Sequence, residues 1–499
     1  MPGRKSVKST AKKGPEPVSS FPRDKIYLFY DLETSGLDPA FDQVLTFAGI
    51  RTDSRLREID RTSVTLRLRH DVIPSPEAVI THCLTPDDLS DGLCEHQAAQ
   101  QLHELFNTPG TISLGYNSLG FDDEFLRFLF YRNLLDPYTH QYANGCSRGD
   151  ILPVTALFHR FCDPPVIQWP CLESGKPTLK LEHIARENRF DITGPAHDAM
   201  SDVEALVLLC RRFAGRADIW AYALGFFDKP TDLKRMDSIA ETCRIRDQFF
   251  RNALMVSAAF GSDAGYLAPV LHIGGAVPYA NQQLWVRLDS PGCGEIDPDT
   301  RRFDWFPIRK RPADAWLVLP PLERFTRKLS KAAHQTAAGV IAMFREKYGV
   351  FLDTVQTHRE FAYPQIPDLD PDAALYQEGF FTAAEKKDIA RFHDASPFDT
   401  RDTHTLYRLP EALQTPRVKT LAARILTRSY QVPASPEFQA HLDKLAFGEK
   451  IAGFRSEEKF TLPQAKTGLK KIASAQEALN TRQRRALKGL DAYLRKWAV

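Results

Sequence analysis

The stretch that most constrains the fold is Ile26-Tyr27-Leu28-Phe29-Tyr30-Asp31-Leu32-Glu33-Thr34. Apolar residues at Ile26, Leu28 and Tyr30 run into two carboxylates one residue apart. Side chains alternate between faces of a strand, so Asp31 and Glu33 share a face. Two acids held side by side repel each other. A divalent cation between them removes that cost, and paired hard oxygen ligands suit Mg²⁺ or Mn²⁺ better than zinc. A polar strand end entering the turn Ser35-Gly36-Leu37-Asp38-Pro39 would explain the same residues without chemistry. The pair gains meaning only from partners elsewhere in the chain.

A chain of 499 residues exceeds what one core organises, and two to four domains are expected. No apolar run approaches the ~20 residues of a membrane span, and the N-terminus lacks the apolar core of a secretory signal. A cytoplasmic protein without a membrane partner is expected. The eight cysteines are scattered, with no Cys-x-x-Cys pair, which points to reduced, buried thiols and to neither a zinc site nor a disulfide framework. The formal net charge is only +2, so any nucleic-acid track must be local. Residues 1–24 read as a disordered basic tail carrying Arg4, Lys5, Lys8, Lys12, Lys13 and Arg23.

After the turn, Val44–Arg51 and Val64–Arg69 read as two further strands, the second alternating at Val64, Leu66 and Leu68, and together they suggest an antiparallel meander. Thr85-Pro86-Asp87-Asp88 is a helix start leading toward Ala98–Phe106. Thr111–Leu114 is a short strand, and a helix follows from about Asp123 to Asn133. This order describes a mixed sheet with helices packed on it. Asp122 falls at the strand-to-helix junction, where sheet folds place ligand-facing residues. It could equally cap the helix, although Asp123 could take that role and free it. Thr178–Ala185 reads as a helix, and Asp198 as the N-cap of an apolar-striped helix, Ala199–Phe213. His197 then lies on the preceding loop and Asp202 one turn inside the helix.

Together, Asp31-Leu32-Glu33-Thr34, Asn117-x-x-x-Phe121-Asp122 and His197-x-x-x-x-Asp202 resemble the DEDD exonucleases, in the subclass with histidine five residues before the last aspartate. The chain is more closely similar to the bacterial exodeoxyribonuclease I family in Phe47–Asp53, Gly115-Tyr116-Asn117, Phe121-Asp122-Asp123-Glu124, Phe130-Tyr131-Arg132-Asn133, Asp136-Pro137-Tyr138, Leu181-Glu182-His183 and Ala196-His197-Asp198-Ala199-Met200. Beyond residue 214 the likeness thins, returning at Leu375-Tyr376, Gly379-Phe380-Phe381 and Pro436-Glu437-Phe438. The resemblance implies an α/β ribonuclease-H-like exonuclease domain over 25–214, an SH3-like β-barrel domain over 215–355 and an α-helical C-terminal domain over 356–499. Residues 216–260 are longer and more helical than the family pattern. Short strands at 268–273, 284–288, 303–306 and 316–319 agree with a small barrel.

The resemblance further implies 3′→5′ degradation of single-stranded DNA to nucleoside 5′-monophosphates, in DNA repair or recombination, with two Mg²⁺ ions for which Mn²⁺ can substitute. Asp31, Glu33 and Asp202 would bind the ions, Asp122 would join directly or through water, and His197 would take the proton of the attacking water. Glu33 with the backbone of Thr34 and Ser35 would hold the 3′-terminal nucleotide, and Lys180 would contact the strand. Arg127, Tyr138 and Tyr142 match family positions along its path, with ordinary packing as the lesser alternative for the tyrosines. The basic residues Lys466, Lys470, Lys471, Arg482, Arg484, Arg485 and Lys488 form either a wall of the groove or a solvated helix face. By the same analogy the partner is the C-terminal tail of single-stranded-DNA-binding protein, and the enzyme is a monomer. Two alternatives are a related nuclease acting on RNA 3′ ends or in proofreading, and an inactive scaffold that binds strands.

Overall fold

A computed structural model describes residues 25–192, 198–290, 292–398, 401–455, 459–474 and 479–497. The basic tail up to Asp24 and His197 lie outside the described residues. Strands β1 (Ile26–Thr34), β2 (Val44–Thr52), β3 (Glu58–Thr65), β4 (Thr111–Gly115) and β5 (Ser147–Asp150) form one sheet in the order β3-β2-β1-β4-β5. β1 to β3 are antiparallel as expected, and β4 and β5 join in parallel. The third strand lies earlier than its apolar alternation suggested. It is an edge strand in which only Val64 is buried, with Arg61 paired to Glu58 and Glu204, so no apolar period marks it.

Helix α1 (Pro76–His82) is capped by Ser75, and α2 (Glu95–Phe106) follows. The start expected at Thr85-Pro86 is only a short 3₁₀ turn, Asp87–Leu89. Helix cannot run through the next residues because Leu93 is drawn out to pair with β3: its N–H donates to Thr65 O at 2.9 Å and its carbonyl accepts from Arg67 N at 2.8 Å. Then come α3 (Asp122–Arg132), α4 (Ile151–Phe161), α5 (Leu181–Glu187) and α6 (Ala199–Ala214). One face of the sheet buries Phe29 and Ile50 with Val203, Leu206 and Phe213 of α6. The other buries Leu28, Tyr30 and Phe47 with Leu102, Phe106 and Phe125.

The middle of the chain contributes α7 (Ala217–Leu224), α8 (Lys229–Asp237), a hairpin of β6 (Cys243–Ile245) and β7 (Gln248–Phe250), and strands β8 (Asn252–Val256), β9 (Leu267–Gly275), β10 (Gln283–Arg287), β11 (Ile308–Lys310) and β12 (Leu317–Leu319). The last five form the antiparallel SH3-like sheet, in the order β11-β10-β9-β8-β12. Of the expected strands, 303–306 is absent: Phe303 makes one bridge, to Ile296, and its ring packs on Phe344. Trp220, Leu254, Val256 and Leu317 share a core with Phe158 and Phe213, so apolar packing runs unbroken across residue 214.

Helices α9 (Glu323–Thr326), α10 (Lys331–Glu346) and α11 (Tyr348–Glu360) lead to the C-terminal helices α12 (Leu375–Glu378), α13 (Ala383–Asp394), α14 (Thr403–Arg408), α15 (Pro416–Tyr430), α16 (Pro436–Phe447), α17 (Leu462–Ser474) and α18 (Thr481–Lys496). The single segment expected over Ser474–Trp497 is instead the end of α17 and a separate α18, begun by a capping box of Asn480 and Gln483.

The C-terminal helices meet the nuclease domain through buried charges. Arg132 donates to the carbonyls of Pro39 at 3.1 Å, Ala40 at 3.3 Å and Asp42 at 3.3 Å, and pairs with Glu95 at 2.8 Å. Arg69 bridges Glu95 at 2.8 Å to Asp71 at 3.1 Å, and Arg428 of α15 reaches Asp71 at 2.7 Å. Burial alone would raise the Glu95 pKa, but Arg132 and Arg69 overcome it and bring it to about 2. Removing Arg132 leaves Glu95 with Arg69 as its remaining ion-pair partner and takes the buried donor from the carbonyls of Pro39, Ala40 and Asp42. Arg132→Met should therefore cost about 3–5 kcal/mol in urea unfolding, and a loss below about 1 kcal/mol would show that the network is not stabilising the fold.

Candidate active site

Alternation along β1 puts Asp31 and Glu33 on one face, and the first turn of α6 brings Asp202 to them. One carboxylate oxygen of each lies within 4.8 Å of the others. Asp202 N donates to Asp198 O at 3.1 Å, which starts α6 as expected. The Asp198 side chain, however, makes no capping bond to the helix backbone and accepts from Ser201 Oγ at 3.4 Å.

Asp122 is the first residue of α3 and is buried. Desolvation, then Asp122, Glu33 and Asp202, hold the Asp31 carboxyl well above the usual range. Desolvation and the charges of Asp202 and Asp122 push Glu33 up to about 8. Asp122 is likewise raised by burial to about 8, against hydrogen bonds from its own amide and that of Leu32. Four acids therefore share one corner that disfavours their charges. An all-oxygen, anionic donor set of this kind fits a divalent cation.

Asp123 does not cap α3. It is buried against Arg127 at 2.6 Å, Arg148 of β5 and His140 at 3.4 Å, which tie α3 to the sheet edge. Asp150 is a residue that sequence reasoning missed. Its carboxylate accepts from Asn117 N at 2.8 Å, Leu119 N at 3.2 Å and Leu152 N at 2.9 Å, so it caps α4 and also fixes the loop that delivers Asp122. An aspartate directly before the apolar run Ile151–Phe158 was the available signal.

The expected strand-binding residues divide into two groups. Lys180 lines a cleft of about 540 Å³ with Asp31, Asp202 and Tyr116 on the nuclease side and Ala258 and Tyr266 on the barrel side. Thr34 and Ser35 are buried in the turn, with Ser35 Oγ donating to Asp42 Oδ1 at 2.8 Å, Ser35 N to Gln43 O at 2.9 Å, and Ser35 O accepting from Ser75 N at 2.8 Å. Arg127, Tyr138 and Tyr142 stand away from this cleft. The Arg127 guanidinium is taken up by Asp123, Glu124 and the Tyr376 hydroxyl. Tyr138 packs edge-on against Phe380 at 5.2 Å. Tyr142 is 60% exposed and borders a cavity of about 240 Å³ with Phe380, Phe381 and Lys386.

Residues 28–210 match the family model of the RNase T-type exonucleases. Over 187 residues the sequence is 38% identical to exodeoxyribonuclease I of Escherichia coli, a match spanning 37% of this chain and 39% of that protein. In fold the likeness is wider. E. coli exonuclease I crystallised with a dA16 oligonucleotide superposes with a TM-score of 0.75 at 26% identity, covering 95% of this chain and all of that one. Its zinc-bound form with single-stranded DNA superposes at 0.76 and 25% identity, again covering 95% of this chain and all of that one.

The N-terminal domain is thus an exonuclease domain of ribonuclease-H-like fold. Along the chain as a whole, the architecture of nuclease domain, SH3-like barrel and C-terminal helices is shared with the solved structures of E. coli exonuclease I.

Like charges confined without a cation weaken the fold. In a chelator at neutral pH, Glu33→Gln should raise stability by on the order of 1–3 kcal/mol, while the gain in melting temperature that Mg²⁺ or Mn²⁺ gives the parent should shrink. Equal metal-induced shifts in both proteins would remove Glu33 from the ligand set.

Proposed function

We propose that this chain is a metal-dependent 3′→5′ exonuclease that degrades single-stranded DNA to nucleoside 5′-monophosphates. The observation that carries this reading is the Asp31, Glu33 and Asp202 cluster, with Asp122 beside it, opening into a cleft that also holds Lys180. Asp31, Glu33 and Asp202 hold two divalent ions, Mg²⁺ with Mn²⁺ as a substitute, and Asp122 joins them directly or through water. When bound, the ions stabilise charge on the phosphate and the leaving oxygen.

His197, two residues ahead of α6 in the sequence, accepts the proton of the attacking water, a task for an imidazole titrating near neutrality. Glu33 and the backbone at Thr34 and Ser35 seat the terminal nucleotide, whose phosphate lies within reach of Lys180. Tyr142 offers an open ring to a base farther along the strand. Arg127, enclosed by acids, steadies the Tyr138 and Tyr376 wall without touching DNA. The acidic C-terminal tail of single-stranded-DNA-binding protein as partner, a monomeric state and a role in DNA repair or recombination complete the reading, supported by family likeness alone.

Matched labelled DNA and RNA strands, each blocked at one end and incubated with Mg²⁺, test polarity and sugar together. Release of 5′-mononucleotides from free 3′ DNA ends is expected. Faster release from RNA, or from 5′ ends, would overturn the reading.

His197→Ala should lower the turnover number by about 10²-fold or more while leaving Mn²⁺ affinity unchanged in calorimetric titration. If the affinity collapses instead, the histidine organises the metal site and the base lies elsewhere.

A further inference from the structure

The β6–β7 hairpin lies beyond the 28–210 family match and carries cations that the reaction does not use. Arg244 is on β6, Arg246 is on the turn with left-handed backbone (φ 56°), and Arg345 is in the last turn of α10. Their inner nitrogens close a cycle. Arg244 Nε donates to Arg246 O at 2.8 Å, Arg246 Nε to Arg345 O at 2.7 Å, and Arg345 Nε to Arg244 O at 2.9 Å.

Each guanidinium is pinned at Nε, and its two Nη groups remain for a ligand. Among the described residues, no carboxylate lies within ion-pair distance of any of the three. Glu346 and Asp247 line the same surface depression of about 770 Å³; Glu346 is engaged by Lys347 at 3.2 Å, and Asp247 feels the charge of Arg244 without pairing with it.

Three like charges fastened together repel, as the carboxylates do in the active site, and an anion with several oxygens relieves them. Guanidinium forks match phosphate oxygens two at a time. Phe249, on the same hairpin, is 55% exposed with the Arg244 guanidinium 5.9 Å from its ring centroid. An open ring beside fixed phosphate ligands is the combination that grips a single strand: charge for the backbone, a face for a base. An acidic peptide would satisfy the arginines, but it would leave an exposed, flat phenylalanine without use.

We propose that Arg244, Arg246 and Arg345 bind phosphate groups of a single DNA strand, with Phe249 stacking a base, at a site that shares no residue with the catalytic cleft. This rests on the single-strand reading above. The site holds a strand that extends past the active site, adding grip without taking part in hydrolysis.

The test uses the full chain carrying Asp31→Asn, so that strands persist, and reads fluorescence anisotropy of labelled oligo-dT across salt concentrations. Two strands are compared, one short enough to fill only the cleft and one several times longer. Adding Arg246→Ala with Arg345→Ala should weaken the long strand about tenfold and flatten its log-affinity against log-salt slope by about 1–2. The short strand should bind as before. In the otherwise unaltered chain, the arginine pair should leave turnover on short strands unchanged.

Phe249→Ala should weaken the long strand with no change in salt slope, and it carries the test alone if the arginine pair fails to fold. Long-strand affinity and slope that match the parent, in variants with unchanged melting temperature, would overturn the proposal. So would loss of binding to a labelled Asp- and Glu-rich peptide with strand binding intact, which would assign the site to an acidic peptide. If the Asp31→Asn parent binds neither strand, the single-strand reading itself fails and this ligand fails with it.

Discussion

Mutual repulsion among Asp31, Glu33, Asp122 and Asp202 is the constraint around which the nuclease domain is arranged. Charges that disfavour one another disperse unless the backbone beneath them is fixed, and each of these is fixed differently. Asp31 and Glu33 ride on a central strand paired along both edges. Asp202 is locked in the first turn of a helix packed on that strand. Asp122 is held at second hand, because Asp150 gathers the amides of the loop before it and Asp123 fastens its helix to β5. Such a corner is poised for a cation without having to reorganise, which is how a site gains affinity for hard metals while burying anionic groups.

The turn after β1 shows why the C-terminal half is more than an appendage. Residues 39–42 present their carbonyls inward, and buried carbonyls need donors. Arg132 and Arg69 supply them, and the charge of those arginines is balanced by Glu95 and Asp71, the latter shared with Arg428 of α15. Lys459 and His441 extend the chain of contacts to Asp370. A helix formed more than 350 residues downstream thus reaches the turn that begins where Glu33 and Thr34 end. Every member is enclosed, so loss of one charge is felt by the others rather than absorbed by water.

What could be read from the chain follows from where the physical signal is local. β1, β2 and β4 lie inside the sheet with both faces covered, and α3 and α6 bury most of their length, so dense local apolar runs mark them. β3 carries no such run, because at the sheet edge only Val64 of its residues is buried. The start of α2 escaped because Leu93 is extended by pairing with a strand nearly thirty residues earlier, a contact that no local pattern contains. Strand period aligned Asp31 with Glu33, whereas Asp122 and Asp202 were joined to them only through the resemblance of three separated motifs to the DEDD exonucleases. Arg127 was legible as a basic residue near the site but not as one enclosed by Asp123 and Glu124. The cycle of Arg244, Arg246 and Arg345 joins residues about a hundred positions apart, which no spacing rule connects.

A net charge of +2 conceals a separation of sign that matters more than the sum. The catalytic corner collects carboxylates, which by themselves would repel a phosphodiester. The cations that could draw a strand in stand outside it, at Lys180 on the cleft wall and at the arginine cycle on the hairpin. Over the roughly 8–10 Å across which charge acts at ordinary ionic strength, each cluster works locally and neither cancels the other. On the proposed reading, a strand would meet attraction at sites that do not cleave and, without metal, repulsion at the one that does. Binding and hydrolysis would then be separable in such a molecule, with metal governing the second and salt the first.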